Sequence, residues 1–361
     1  MTPHPSSAPQ RIYASLGTMS GTSLDGLDLA FIRTDGEAHI EAVAAESFPY
    51  DDAAREILRA ALGAAAESPE AEAAAKVITE AHIAAIKSFG EKPDLIGFHG
   101  QTILHRPEER LTVQIGDAAA LARAVGCDVI GDFRRADVEA GGQGAPLAPL
   151  FHAALAATLP KPLAVVNIGG VANATYHGAS GEMLAFDTGA GNALLDDWAY
   201  RHTGTACDTD GALARAGAVD AACLARLLDH PYFAAPPPKS LDRLEFDAQI
   251  VEGLSPADGA ATLTAFTAAG IAAAVAHFPA APRRFILCGG GRHNPALCDA
   301  LTESLAAPVE NCDTLGWHGD ALEAQAFAWL AVRSLRGLPL SLPETTGVPK
   351  PMTGGRLYKS V

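Results

Sequence analysis

The chain has 361 residues, enough for two domains at about 150 residues each. Hydrophobic residues make up 48% and the mean hydropathy is +0.12, so full apolar cores are available and general disorder is excluded. With 26 Lys and Arg against 42 Asp and Glu the formal net charge is −16. That charge repels a phosphate backbone and argues against a nucleic-acid binder, although backbone N–H groups and one local Arg can still hold a small anion.

The polar, Pro- and Ser-rich stretch Met1–Arg11 lacks the apolar run of a secretory signal. Ile12–Leu16 predicts a strand that feeds Gly-Thr-Met-Ser-Gly-Thr-Ser-Leu-Asp-Gly (Gly17–Gly26), and Leu27–Arg33 predicts a second strand. Apolar residues at three- and four-residue spacing predict helices over Asp51–Ala66 and Pro69–Phe89. Leu95–Phe98 reads as a short strand ending in His99-Gly-Gln-Thr102. Leu111–Ile115 alternates like a strand, Ala118–Val125 is helical, and Asp128–Ile130 is a strand running into Gly131-Asp-Phe-Arg-Arg135.

The Gly- and Pro-rich segment Ala140–Pro149 is read as a loop and domain crossover, followed by a helix over Leu150–Leu159. A second series then begins. Strand Leu163–Val166 leads to Asn167-Ile-Gly-Gly-Val-Ala-Asn173, and strand Met183–Phe186 leads to Asp187-Thr-Gly-Ala-Gly-Asn192 and a helix through Tyr200. Pro231–Arg243 holds four Pro and reads as an irregular loop. Gly259–Pro282 carries no charged residue and is long enough to cross a bilayer, but its Ala content with Thr262, Thr264, Thr267, Gly270 and His277 predicts a buried helix and no membrane partner. Helix Ala257–His277 then precedes strand Arg284–Leu287, Cys288-Gly-Gly-Gly-Arg-His-Asn294 and a last long helix, Asp320–Leu335. The cysteines Cys127, Cys207, Cys223, Cys288, Cys298 and Cys312 form no C-x-x-C pair and no zinc pattern, so reduced thiols and a cytoplasmic location are expected.

A strand followed by a Gly-rich turn occurs after Leu16, Val166 and Leu287. Each alone reads equally well as an ordinary tight turn; three together suit a polyphosphate held by backbone N–H groups. The lysines Lys76, Lys87, Lys92, Lys161, Lys239, Lys350 and Lys359 all lie outside these loops, so a Walker A site is excluded. The first loop runs from strand to strand without the dinucleotide-binding spacing, and protein-kinase signatures are absent. The duplicated-domain ATPase plan of actin, hexokinase and sugar kinases remains.

The motifs Gly17–Gly26, His99–Thr102, Asp132-Phe-Arg-Arg-Ala-Asp137 with Gly141-Gly-Gln-Gly-Ala-Pro146, Asn167–Asn173, Phe186–Asn192, Cys288–Pro295 and Glu323-Ala-Gln-Ala-Phe-Ala-Trp-Leu-Ala331, with the tail Leu342–Gly347, together resemble the anhydro-N-acetylmuramic acid kinase family. Ala190 stands where that family usually has Pro, which leaves the turn less stiff. The resemblance implies an α/β duplicated-domain ATPase (actin/hexokinase/Hsp70-like, with ribonuclease-H-like lobes) around a central interlobe cleft. The expected lobes are 1–139, with the tail 341–361 packed on it, and 140–340. It implies ATP with magnesium as cofactors, and 1,6-anhydro-N-acetylmuramic acid as the substrate, opened by water and phosphorylated on O6 in cell-wall recycling. It leaves room for a homodimer.

Carried onto this sequence, the family's chemistry makes Asp187 the base that activates water; a cap for the helix near Asn192 is the competing reading. ATP is expected at Gly21, Thr22, Ser23, Leu24, Asp25, Gly26, Leu27, Asp28, Asn167, Gly169, Gly170, Gly289, Gly290, Gly291 and Asn294. Asp25 is either a magnesium-side carboxylate or a turn residue. Arg134, Arg135 and Asp137 either meet a lactyl carboxylate or form an interlobe ion pair. Glu323 faces substrate or complements a helix dipole, and His99 and Gln101 donate to sugar hydroxyls or sit in the core. A levoglucosan kinase would use the same loops without needing an Arg for a carboxylate. A peptide-binding ATPase of the same plan would add a domain for which the residues after the last helix are expected to leave no room.

Overall fold

A computed structural model of the chain describes residues 11–21, 24–241, 245–246 and 248–361. Thr22, Ser23 and part of the Pro231–Arg243 loop lie outside the described residues.

The first sheet is built from β1 (Tyr13–Ser20), β2 (Gly26–Thr34), β3 (Ile40–Pro49), β4 (Leu95–Arg106), β5 (Leu111–Ile115) and β6 (Val129–Gly131). The second holds β7 (Leu163–Ile168), β8 (Val171–His177), β9 (Met183–Ala190), β10 (Phe285–Cys288) and β11 (Val309–Asn311). β12 (Arg356–Tyr358) returns to the first sheet and pairs antiparallel with β6. The order is β12-β6-β4-β1-β2-β3 in one sheet, with β5 paired to β4, and β11-β10-β7-β8-β9 in the other. Both sheets follow one plan. Three strands run antiparallel through two hairpins, and two more lie parallel beside the first of the three. The chain is thus a duplicated α/β ATPase fold.

Local chemistry accounts for several boundaries. The Pro69–Phe89 helix starts with Pro in its first turn behind Ser68, whose side chain accepts from Ala71 N, and ends at left-handed Gly90. The Pro256–Ala274 helix lies in the stretch Pro256–His277, long and apolar enough to cross a membrane, but it is mostly buried within the fold and packs against β9 and the Ala193–Thr203 and Pro295–Ser304 helices.

The structure departs from the expected elements mainly by extending strands. β1 continues through Met19 and Ser20, β4 through the His99–Thr102 motif, and β9 through Asp187 to Ala190. In each, Gly and polar residues read as a turn, whereas ladder pairing to neighbouring strands carries them on with a local register shift, an extra residue falling in β4 and in β9. β3, β8, β11 and the Pro295–Ser304 helix were not expected.

The Leu322–Leu335 helix packs on β1, β2 and β4 of the first sheet, although it falls within the stretch 140–340 assigned to the other lobe. Its contact is backbone to backbone. A Cβ on Gly17 would overlap the Ala324 carbonyl oxygen, and one on Gly97 the Phe327 carbonyl oxygen. Ser15 Oγ donates to the Ala328 carbonyl at 2.8 Å. One buried cluster joins Ile32, Leu95 and Ile130 of the first sheet, Val165 and Ile286 of the second, and Trp329, Leu330 and Val332 of this helix. Gly97→Val should therefore lower the urea midpoint by an amount equivalent to at least about 1–3 kcal/mol, the usual cost of overpacking. A midpoint equal to that of the unsubstituted chain would contradict this close seating.

Candidate active site

β7, β8 and β9 place three polar residues in one row. Asn167 lies directly opposite Asn173, and Asn173 opposite Asp187. All three line a small cavity of 90 Å³, with Arg134, Glu323, Phe327, Pro146 and Leu147 completing its walls.

Asp187 is 7% exposed. Its Oδ2 accepts from Leu241 N at 2.8 Å. Burial pushes its carboxyl up to about 7, against the opposing pull of the Leu241 hydrogen bond and the Arg134 charge. Asp187 sits inside a strand, and the Ala193–Thr203 helix begins after Asn192 with no side-chain cap bond. The helix-cap reading is thereby overturned, as is the expectation that the strand stops at Phe186.

Arg134 Nε and Nη2 donate to His99 Nε2 at 3.2 and 3.0 Å, and Nη1 donates to the Gly144 carbonyl at 2.7 Å. His99 Nδ1 lies 2.8 Å from the Gly100 carbonyl, which assigns the proton to Nδ1 and leaves Nε2 as acceptor. Burial and the Arg134 charge hold this imidazole well below its ordinary value, so His99 is a neutral orienter of Arg134. Glu323 opens the Leu322–Leu335 helix, and its Oε1 accepts from Asn167 Nδ2 at 3.3 Å. Burial raises Glu323, while Arg134 pulls it back.

Two expected sugar contacts take other roles. Gln101 is fully buried; its Oε1 accepts from Ser20 Oγ at 2.5 Å, its Nε2 donates to the Thr102 carbonyl at 3.1 Å, and Ser20 also bonds the Tyr50 hydroxyl. It braces the base of the first loop. The Asp137 carboxylate accepts from Gly144 N and Thr346 Oγ1, both at 2.7 Å, and from Ser341 Oγ. It latches the 141–146 loop to the tail and does not line the cavity that holds Asp187. Arg135 forms an exposed pair with Asp132 at 2.9 Å.

Of the expected ATP residues, Leu24 and Leu27 bury their side chains in the core and can offer only backbone. Leu24 has φ +57 and its N–H donates to the Gly21 carbonyl. Gly26 lies against the Phe48 carbonyl, where a Cβ would not fit. Asp25 is exposed at the loop, and Asp28 accepts from Ser47 Oγ at 2.5 Å. The second loop is closed by Asn192 N on the Gly169 carbonyl and Gly191 N on the Gly170 carbonyl. Gly289, with φ +76, and Gly291 pack against Asn167 and Ile168, so the second and third loops touch. Gly290 completes that third turn. Asn294 instead caps the Pro295–Ser304 helix, its Oδ1 accepting from Ala296 N and Leu297 N. A second cleft, of 400 Å³, runs between Asp28 and Ser47 on one side and Arg292, His293, Asp313 and Asp320 on the other.

Asn173, Leu147, Pro146 and Phe327 were missed. For Asn173 a signal existed: Asn167 and Asn173 are spaced symmetrically about Gly170, so a hairpin centred there makes them partners on one face.

The sequence pattern of the anhydro-N-acetylmuramic acid kinase family matches residues 13–360. The chain belongs to that family. It is 58% identical over 352 residues to the anhydro-N-acetylmuramic acid kinase of Acidiphilium cryptum, covering 96% of this chain and 98% of that one. It is 55% identical over 351 residues to that of Rhodospirillum rubrum, covering 95% and 94%. Among solved structures, a ROK family glucokinase from Streptomyces griseus in complex with glucose and AMPPNP is similar over 88% of this chain and 99% of that one, with 14% identity and a TM-score of 0.42.

The raised carboxyl also has a consequence for stability. Folded Asp187 keeps its proton up to about 7, whereas an unfolded Asp releases it near about 4. The folded state binds more protons in that window, so this group's contribution to stability falls as pH rises from about 4 to 7. Asp187→Asn removes the fall. Its melting temperature relative to the unsubstituted protein should rise between pH 5 and pH 8, by the equivalent of about a few kcal/mol; a pH-independent difference would contradict the raised carboxyl.

Proposed function

We propose that this kinase takes ATP and 1,6-anhydro-N-acetylmuramic acid to N-acetylmuramic acid 6-phosphate and ADP, in the cytoplasm, as a step of peptidoglycan recycling. The observation that carries the mechanism is the buried Asp187 carboxyl, raised to about 7, beside Arg134 and Glu323 in one cavity. Ionised Asp187 accepts a proton from water as the water oxygen bonds to the anomeric carbon. The bond from that carbon to O6 breaks, and O6 keeps the electron pair and bonds to the γ-phosphorus of ATP as ADP leaves. Arg134, oriented by His99, is the cation available to the sugar's lactyl carboxylate. That charge favours an acid-bearing substrate over levoglucosan.

The backbone of Gly21–Gly26, Gly169–Gly170 and Gly289–Gly291 is the cradle for the phosphates. Magnesium would enter with the triphosphate and neutralise its charge. Among the described residues no group of three or more His, Cys, Asp or Glu forms a self-sufficient metal site. A magnesium ion needs only one or two carboxylates besides phosphate and water. Asp25 and Asp28 fit that need, because Asp28 is pushed up by burial and also by the negative charges of Asp25 and Asp320. We read 1–139 with the Leu322–Leu335 helix and the tail as one lobe and 140–321 as the other, closing on both substrates to exclude water from ATP.

In oxygen-18 water, mass spectrometry of the product should find one labelled oxygen at the anomeric carbon and one added phosphoryl group. Unlabelled product would remove the hydrolytic step. Asp187→Asn should lower turnover by about 10²–10⁴-fold while leaving ATP affinity near normal. The kcat/KM profile should fall on the acid side with a midpoint near 7, as protonation removes the base. Retained turnover in that variant would take Asp187 out of the reaction.

A further inference from the structure

Behind Asp187, three residues close a cycle of hydrogen bonds. The Asp187 N–H donates to the Lys239 carbonyl at 3.1 Å, Lys239 Nζ donates to the Tyr232 carbonyl at 2.7 Å, and the Tyr232 hydroxyl donates to the Asp187 carbonyl at 2.6 Å. Two residues beyond Lys239, the Leu241 N–H reaches Asp187 Oδ2 at 2.8 Å. Between them, Ser240 Oγ donates to Gln143 Oε1 at 2.8 Å, tying this segment to the loop that carries Ala145 and Pro146 into the cavity wall. Residues 239–241 therefore hold the base by its backbone and by its carboxylate at once.

Lys239 is a costly choice for that position. It is 9% exposed, and among the described residues it has no carboxylate partner. Its ammonium lies 4.5 Å from the Tyr232 ring centroid and 5.6 Å from that of Phe186. Two aromatic faces and one carbonyl offset only part of the loss of hydration. A neutral side chain of similar length would fill the same space without that loss.

We propose that Lys239 is a positioning residue for the reaction: its ammonium, fixed on the Tyr232 carbonyl between two rings, holds residues 239–241 where the Leu241 N–H engages one oxygen of Asp187. The proposal rests on the reading of Asp187 as the base. Lys239 works through the segment and not as a counter-ion, because the cation that acts on the Asp187 carboxylate is Arg134. The other charged or titratable groups on elements packed around Asp187 are Glu323, Tyr232, Tyr176 and His177 on β8, Glu344 on the Pro343–Thr346 helix, and Asp258 and His277 near the ends of the Pro256–Ala274 helix. Substituting Lys239 leaves the identity of each of these groups intact and alters directly the contacts of Tyr232 alone, whose carbonyl and ring the ammonium meets. The Leu241 N–H favours the ionised carboxylate, opposing burial. Loosening the segment removes that donor, so the base becomes harder to deprotonate.

The test uses the full chain with ATP and the anhydro sugar. Lys239→Met should lower kcat about tenfold, in keeping with a displaced base. It should move the acid limb of kcat/KM to higher pH by about half to one unit, the scale of one hydrogen bond, and leave the KM for ATP within about twofold. Lys239→Arg, which keeps a donor, should recover part of both effects. Tyr232→Phe deletes only the hydroxyl bond to the Asp187 carbonyl and should shift the limb the same way by less. If Lys239→Met folds with a lowered melting temperature but an unmoved limb, Lys239 is merely structural and the proposal fails. If Lys239→Met does not fold, Tyr232→Phe decides, and an unmoved limb there overturns the proposal. Asp187→Asn in the same assay separates the two readings. Turnover retained in that variant sinks the base itself; an inactive Asp187→Asn beside unmoved limbs in the other variants sinks only the positioning role.

Discussion

A helix laid backbone-first onto two strands is the constraint from which the rest of the molecule follows. The Leu322–Leu335 helix can lie that close only because Gly17 and Gly97 have no side chains. The approach fixes the height of the helix above β1 and β4, and so the position of its first turn. Glu323 and Phe327 reach the cavity from there, Phe327 with its ring 4.6 Å from that of His99. The same helix contributes Trp329 and Leu330 to a core shared with the second sheet. A shift of its axis would displace an acid, an aromatic wall and the junction of the sheets together.

Within the cavity one guanidinium faces two carboxyls. Both Asp187 and Glu323 are pushed up by burial and pulled back by Arg134. A low-dielectric site tolerates one compensated pair more readily than a surplus anion. The surplus is what makes a proton welcome, and a group that takes a proton near neutral pH is suited to act as a base. His99 contributes by staying neutral. As an acceptor it aims the guanidinium without adding a second positive charge to the site.

Much of this was legible in the residues. The Gly-rich loops, the Asp187 motif, and Arg134 and Glu323 as separate candidates are marked by residue type, and the Pro69–Phe89 helix by its caps; that Arg134 and Glu323 share one cavity is set by the fold. What escaped has a physical pattern. Asp187, Thr188 and Gly189 read as a turn because their types favour turns, but the ladder to β8 outweighs that preference. Gln101 read as a donor to sugar hydroxyls or a core residue, and Asp137, beside Arg134 and Arg135, as part of a charged cluster for a lactyl carboxylate or an ion pair, because residue type shows chemistry and not partners. Their partners, Ser20 for one and Ser341 with Thr346 for the other, are set by tertiary folding alone. Lys239 gave no signal, since its role depends on Tyr232 and β9 meeting it in space.

The Asp137 latch and the β6–β12 pairing have a bearing on biosynthesis. Asp137 waits for Ser341 and Thr346, more than two hundred residues later, and the edge of β6 waits for Leu357 to pair with Ile130. A ribosome adding about 5–20 residues per second releases the first sheet well before those partners exist. Until then the β6 edge offers unpaired N–H and C=O groups to any passing strand, and Asp137 has no tail to hold. The first half of the chain is thus exposed to misassembly for as long as the second half is being made, and its sheet is completed only once β12 has emerged to pair with β6.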